Sequence, residues 1–128
     1  MSEKFTVEII SPDNSILKTE ASEVSIPSYE GEMGILKDHI SLITFLRPGL
    51  IKIQEDPKTT YFVEEGTVEF SNNTLLILTS TAKKLSDLNV EFLSKEISDA
   101  EQKITSENLN DKERYFLSYK IDTLKSIN

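Results

Sequence analysis

The chain has 128 residues, with 22 acidic and 14 basic side chains and a formal net charge of −8 at pH 7. This length fits one small domain or a domain with an appendage, and the acidic balance argues against binding to nucleic acid, which needs clustered Lys and Arg. Because the sequence has no cysteine, disulfides and thiolate metal sites are excluded as well.

Membrane-spanning and targeting segments are not evident in the sequence. No apolar run approaches the roughly 20 residues that a spanning helix needs. The N-terminal sequence MSEKFTVEII has neither an apolar signal core nor an Arg-rich transit character. We therefore expect a soluble acidic protein that stays in the compartment where it is made.

The first eighty residues predict short β-strands separated by turns. Apolar and polar residues alternate from Phe5 to Ile9 and from Glu23 to Ile26, which is the period of a half-buried strand. Pro27 cannot donate a hydrogen bond to a neighbouring strand and indicates either a strand end or an edge of the sheet. The apolar run Leu75–Leu78 is typical of a fully covered strand. Further strands are predicted at Ser15–Lys18, Met33–Leu36, Leu42–Leu46, Leu50–Gln54, Thr59–Val63 and Val68–Phe70, with a turn at Glu55–Lys58. Eight or nine such strands favour a β-sandwich or a barrel.

Residues that break regular structure concentrate between Ile26 and Ile53, where three of the four glycines and two of the four prolines lie. Pro48-Gly49 is a turn signal, because proline presets one backbone dihedral and glycine accepts positive φ. Glu30-Gly31-Glu32 places two carboxylates around a glycine at a predicted bend. Two interpretations of this bend stay open, a solvated loop tip or a recognition loop.

After Ser80 the sequence has no glycine or proline and takes the pattern of amphipathic helices. Ser86 is predicted to cap a first helix, and Asn110 or Asp111 a second one. The apolar stripes step by three and four residues: Val90, Leu93, Ile97, Ala100 and Ile104 in the first helix, then Leu117, Ile121 and Leu124. This pattern predicts an antiparallel helical hairpin, either packed on the β domain or detached from it.

Patterns for catalysis or metal binding are weak. His39 is the only histidine and follows Asp38, a pair that could orient a general base. However, adjacent strand residues face opposite ways, and no serine stands in a nucleophile motif, which disfavours a small hydrolase. One histidine without cysteine offers no transition-metal ligand spacing, and four glycines form no phosphate-binding loop. We therefore expect no catalytic residue, no cofactor and no metal site, and a chain that is not an enzyme.

Three segments resemble the epsilon subunit of bacterial and chloroplast F-type ATP synthases. They are Val7–Pro12 (VEIISP), Ile26–Leu36 with its core EGEMGIL at Glu30–Leu36, and His39–Gly49 (HISLITFLRPG). The resemblance covers nearly all of the chain. It implies an α+β fold, with an N-terminal antiparallel β-sandwich in residues 1–84 and a C-terminal α-helical hairpin in residues 85–128.

The resemblance also implies a function, that of a non-catalytic central-stalk (rotor) subunit. Such a subunit couples proton flow through a membrane c ring to rotation and ATP synthesis, at the cytoplasmic face of the bacterial inner membrane and attached only through the complex. Glu30-Gly31-Glu32 would face the c ring. His39, Leu42 and Ile43 would lie near the gamma subunit, and the hairpin could reach the alpha/beta catalytic head. The alternative is a free-standing β-sandwich that binds a ligand or peptide, with the helices as a dimerisation hairpin.

The sequence departs from the family pattern in places that bear on regulation. Asp38-His39-Ile40-Ser41 stands where the family usually has a glycine and then His-Ala-Pro, so the local turn is expected to differ. Some bacterial members carry an ATP-binding motif at the start of the first helix, and here Asn89 replaces its acid and Phe92 its arginine. We therefore expect no specific ATP binding. The second helix is only moderately basic, with Lys112, Arg114, Lys120 and Lys125, so any inhibition of ATP hydrolysis is expected to be weak.

Overall fold

The computed structural model describes residues 3–54, 57–106 and 108–127. Within these ranges ten strands precede two helices. The strands are β1 (Phe5–Ile10), β2 (Ser15–Ala21), β3 (Glu23–Ser28), β4 (Gly31–Leu36), β5 (Leu42–Leu46), β6 (Gly49–Ile53), β7 (Thr60–Val63), β8 (Gly66–Ser71), β9 (Thr74–Leu78) and β10 (Lys83–Lys84). The helices are α1 (Val90–Ser106) and α2 (Asp111–Ile127). One part of the predictions, the turn residues Glu55 and Asp56, lies outside the described residues.

The strands form one hydrogen-bonded sheet in the order β10-β7-β6-β3-β5-β8-β9-β1-β2, with β4 paired to β3. This sheet folds over on itself, so that its two halves enclose a common core. All of its pairs are antiparallel except β1 with β9, which run parallel from Thr6 opposite Thr74 to Ile10 opposite Leu78. The predicted α+β fold, a β-sandwich followed by a helical hairpin, is confirmed, with this one parallel pair as an exception.

Alternation along the strands builds the core. Val7 and Ile9 of β1 are fully buried and meet inward side chains from the other strands. The apolar run of β9 does not behave as predicted, because only its inner face is covered. Leu75 and Ile77 are buried, whereas Leu78 is 44% exposed. The prediction of a fully covered strand was therefore wrong.

The end of one predicted strand differs from the structure, and one short strand was not predicted. β3 continues one residue beyond Pro27, whose carbonyl accepts a hydrogen bond from the backbone N–H of Arg47 at 2.9 Å. β10 was not predicted, because its two lysines carry no apolar pattern; it pairs antiparallel with β7.

Helix α1 begins later than the sequence predicted. Leu85–Asp87 form a 3₁₀ turn, and α1 starts at Val90. Asn89 is the N-cap, since its Oδ1 accepts a hydrogen bond of 2.7 Å from the N–H of Phe92. The prediction of Ser86 as the cap was therefore wrong.

Helix α2 begins with a capping box, in which cap and third helical residue bond to each other reciprocally. Asn110 Oδ1 accepts from the N–H of Glu113 at 2.8 Å, and Glu113 Oε1 accepts from the N–H of Asn110 at 3.2 Å. Of the two predicted caps, Asn110 is thus the one the structure uses.

The hairpin lies packed on the sandwich. Phe62 of β7, Leu93 of α1 and Leu124 of α2 form a buried apolar cluster, separate from the main core. Half-buried side chains surround it: Leu50, Leu88, Phe92, Ile97 and Ile127. Val90, predicted to belong to the apolar stripe, is instead 70% exposed because it lies in the first turn of α1. The last strand ends at Lys84, and the division into residues 1–84 and 85–128 stays a prediction.

Candidate functional site

The turn between β3 and β4 presents its carboxylates to solvent. Gly31 has a φ of +142°, a conformation that side-chain-bearing residues rarely adopt. Its carbonyl accepts a hydrogen bond of 2.5 Å from Ser28 Oγ, which closes the turn. Glu30 and Glu32 are both exposed, and Glu32 Oε1 accepts from Ser25 Oγ at 2.8 Å. The glycine therefore sets a tight turn that leaves both carboxylates accessible.

Strand β5 and the loop directly before it carry an exposed apolar surface, which we call the β5 patch: Ile43 and Phe45 of β5, and Ile40 of the loop. These side chains are 79%, 74% and 62% exposed, respectively. Ile43 and Phe45 are two residues apart on one strand and so share a face. Leu42, in contrast, pairs with Phe70 and packs against the main core. Of the two apolar residues predicted at one interface, only Ile43 therefore points outward.

His39 and Asp38 do not bond to each other as a catalytic pair would. His39 Nδ1 lies 2.7 Å from the carbonyl oxygen of Ile40, and its ring meets Phe70 edge-on at 5.9 Å. Asp38 has a φ of +64° and bonds twice to Asn73. Its Oδ1 accepts from Asn73 Nδ2 at 2.9 Å, and its N–H donates to Asn73 Oδ1 at 2.7 Å. Both residues thus have local bonding partners in the turn.

A polar and aromatic contact that the sequence did not predict joins the hairpin to the sandwich. Arg47 directly follows β5, and its guanidinium carbon lies 3.7 Å from the centre of the Tyr119 ring, a cation–π contact. Arg47 Nη1 donates to the hydroxyl of Tyr115 at 2.9 Å. The four-residue spacing of the two tyrosines places them on one face of α2. This spacing was the only indication of the contact that the sequence offered. Arg47 lies 68 residues before Tyr115 and could not be identified as the partner from spacing.

A salt-bridge triad ties three elements together. Lys120 Nζ of α2 lies 3.0 Å from Glu64 Oε1, just after β7, and 3.1 Å from Glu96 Oε1 of α1. Burial lowers the pKa of Lys120, but its hydrogen bonds and charge interactions with Glu64 and Glu96 outweigh that effect and raise the pKa above its ordinary value. Lys120 is therefore charged at neutral pH, and it links α2 both to α1 and to the sandwich.

The two positions that differ from the ATP-binding motif have structural roles. Asn89 caps α1 through its side-chain oxygen. Phe92 is half-buried beside the cluster of Phe62, Leu93 and Leu124, with Lys83 Nζ 5.7 Å from its ring centre. Neither side chain offers a positive charge to a phosphate group.

An open cleft of about 840 Å³ separates the linked ends of the helices from β5 and β8. Phe45 and Phe116 line it together with residues of both charge signs, among them Lys103, Lys112 and Glu65. Within residues 3–54, 57–106 and 108–127, no three acidic or histidine side chains are grouped as metal ligands would be. In the same ranges, neither helix has the length and apolar character to span a membrane.

The chain thus combines a β-sandwich, which carries an exposed acidic turn and an apolar patch, with a docked helical hairpin. Residues 4–85 match the family model described as ATP synthase, Delta/Epsilon chain, beta-sandwich domain. The chain belongs to this ATP synthase delta/epsilon family. The family predicted from the three sequence segments is confirmed.

Three similar proteins are each named ATP synthase epsilon chain. The ATP synthase epsilon chain of Pelagibacter ubique (strain HTCC1062) is 45% identical over 130 residues, covering 100% of both chains. That of Parvibaculum lavamentivorans is 31% identical over 129 residues, covering 99% of this chain and 97% of the relative. That of Lawsonia intracellularis is 40% identical over 91 residues, covering 70% and 68%.

Solved structures share the fold. A chain in the cryo-EM structure of the Euglena gracilis mitochondrial ATP synthase, OSCP/F1/c-ring, superimposes with a TM-score of 0.76 at 22% identity, covering 96% of this chain and 80% of that one. A chain from the central stalk/c-ring structure of the Tetrahymena thermophila enzyme gives 0.66 at 15% identity, covering 98% and 96%. At these identities the likeness extends to the fold alone.

Proposed function

We propose that the chain is a non-catalytic rotor subunit of a bacterial F-type ATP synthase, which binds the gamma subunit through the β5 patch and the c ring through the β3–β4 turn. It would thereby couple proton flow to rotation, as a peripheral subunit at the cytoplasmic face of the inner membrane. The observation that carries the proposal is the β5 patch itself, because apolar side chains exposed together on a folded protein mark interaction sites.

The surroundings of the β5 patch support a protein partner. Ile43 pairs with Glu69 and Phe45 with Thr67 on β8, so the patch has a polar border. Beyond Thr67 lies Leu78 of β9, itself 44% exposed. An apolar centre with a polar rim is the usual anatomy of a protein interface. Leu42, half-buried against the main core, would support the strand rather than contact gamma.

Replacing Ile43 by aspartate is expected to weaken binding to gamma by at least about tenfold, because an unpaired carboxylate would be buried in an apolar contact. The measurement is the dissociation constant of the purified chain with gamma. Val90→Asp is the matched control, since Val90 is similarly exposed at 70% but lies on α1; it should bind as the unchanged chain does. Unchanged binding by the Ile43 variant would contradict the assignment. Failure of the unchanged chain to bind gamma, together with dimer formation, would favour the free-standing binding module.

Replacing Glu32 by glutamine is expected to weaken binding of the gamma-bound chain to purified c rings by roughly two- to fivefold, as for an exposed charge pair. The difference should shrink at high salt, because exposed charges are screened. Glu8→Gln is the control, since Glu8 also accepts a hydrogen bond from a serine, Ser15, at 3.1 Å. Equal effects of both substitutions would mean that the turn is not the contact.

Regulation by the hairpin is proposed to be weak and independent of ATP. Three of the four basic residues of α2 already have polar partners in the docked state: Lys120 in the triad, Lys125 with Glu101 at 3.1 Å, and Arg114 with the carbonyl of Ile104 at 3.2 Å. The fourth, Lys112, has its Nζ 5.7 Å from the centre of the Phe116 ring. Deleting residues 85–128 should therefore change the ATPase rate of the reassembled complex little. Titration calorimetry of the chain should detect no micromolar ATP binding. A large activation or a clear binding isotherm would contradict these predictions.

A further inference from the structure

One hydroxyl group connects the β3–β4 turn to helix α2. The hydroxyl of Tyr115 donates a hydrogen bond of 2.5 Å to the carbonyl oxygen of Tyr29, the residue directly before Glu30. The same hydroxyl accepts from Arg47 Nη1 at 2.9 Å. Because an arginine donates to it, the hydroxyl is well placed to give its own proton to the backbone of the turn.

Ring contacts strengthen this connection. The ring of Tyr29 lies 5.0 Å from that of Tyr115 and 5.9 Å from that of Phe116, measured between centroids. The backbone of Tyr29 is held on its other side as well, where its N–H donates to the carbonyl of Phe45 at 2.8 Å. Tyr29 is thus fixed by β5 and by α2 at once, although it is itself 39% exposed.

The geometry points to an energetic coupling between the β3–β4 turn and the docking of α2, transmitted by Tyr115 and Arg47. A partner that reshapes the turn at Tyr29 would weaken docking of the hairpin, and release of the hairpin would loosen the turn. Such a coupling is reciprocal by thermodynamic necessity. It lies within this chain and does not depend on which partner the turn binds.

The first arm of the test acts on the helix. In Tyr115→Phe the ring contacts remain while the hydroxyl is lost. Amide hydrogen exchange is expected to accelerate roughly two- to tenfold both along α2 and at the Tyr29 amide, in line with the loss of one net hydrogen bond. Tyr119→Phe is the control, because it keeps the ring against Arg47 and, within the described residues, its hydroxyl has no hydrogen-bond partner.

The second arm acts on the turn. In Gly31→Ala the new Cβ would meet no atom within 4 Å, so only the strained φ of +142° opposes it. Exchange is expected to accelerate at Tyr119 and Leu124, which lie in α2 beyond the contact with Tyr29. Gly34→Ala, whose Cβ would meet only Glu23 Oε2 at 3.9 Å, is the control on the same strand.

Both arms can overturn the proposal. If Gly31→Ala accelerates exchange in β3 and β4 while exchange at Tyr119 and Leu124 stays unchanged, the turn and the helix are independent. The same conclusion follows if Tyr115→Phe loosens α2 and leaves Tyr29 protected. Acceleration across the whole sandwich in either variant would mean global destabilisation and would equally contradict a specific coupling.

Discussion

Replacing Gly66 by alanine is expected to lower the free energy of unfolding of the sandwich by about 2–5 kcal/mol, from backbone strain and overpacking together. Gly66 opens β8 with a φ of +155°. A Cβ there would lie 2.5 Å from the carbonyl oxygen of Leu78 and 2.9 Å from Thr79 Cβ. Neither neighbour is free to move, because Leu78 is paired in β9 and Thr79 Oγ1 donates to the carbonyl of Glu65 at 2.5 Å.

Urea unfolding followed by circular dichroism measures this effect, as a lower midpoint at an unchanged slope. Gly34→Ala is the control within the same domain, because its Cβ would make only an ordinary contact; it should change stability by less than about 0.5 kcal/mol. If both variants unfold at the same urea concentration, the close approach of Gly66 to the residues of β9 does not exclude a side chain at position 66.

The sequence predicted the strands well because each needs only a local, period-two pattern. All nine predicted strands occur, and the one missed, β10, has two residues and no apolar side chain. The first residue of α1 was harder to predict from the sequence. Ser86 and Asn89 are both good caps, and only the 3₁₀ turn at Leu85–Asp87 decides in favour of Asn89. Local sequence does not determine which of two nearby cap residues begins the helix.

The candidate surfaces were partly predictable for the same reason. Glycine at position 31 indicated a turn whose flanking carboxylates are exposed, as found. Leu42 and Ile43 could not both face a partner, since neighbours on a strand alternate; the pattern itself could have assigned Leu42 to the core. The contact of Arg47 with Tyr115 and Tyr119 depends on how the hairpin docks. Such a pairing across 68 residues leaves no periodic trace in the sequence.

Replacing Leu124 by alanine is expected to weaken docking of the hairpin by about 2–5 kcal/mol, the cost of truncating a fully buried leucine. Leu124 is 0% exposed and packs with Phe62 of the sandwich and Leu93 of α1. It therefore stabilises both the pairing of the two helices and their packing on the sandwich. This cluster is separate from the main core around Val7 and Ile9. The loss should therefore fall on the helices and leave the sandwich folded.

Residue-resolved hydrogen exchange distinguishes these parts, because local and global opening have different free energies. In Leu124→Ala, amides of α1 and α2 should exchange faster, while those of β1 and β9 keep their protection. Val90→Ala is the control, since Val90 is 70% exposed and its truncation should cost less than about 0.5 kcal/mol. The salt-bridge triad of Lys120 with Glu64 and Glu96 remains in both variants. If α1 and α2 stay protected in Leu124→Ala, polar contacts rather than the apolar cluster keep the hairpin docked on the sandwich. Lys120→Met, which removes the salt-bridge triad, would then be the next substitution to measure.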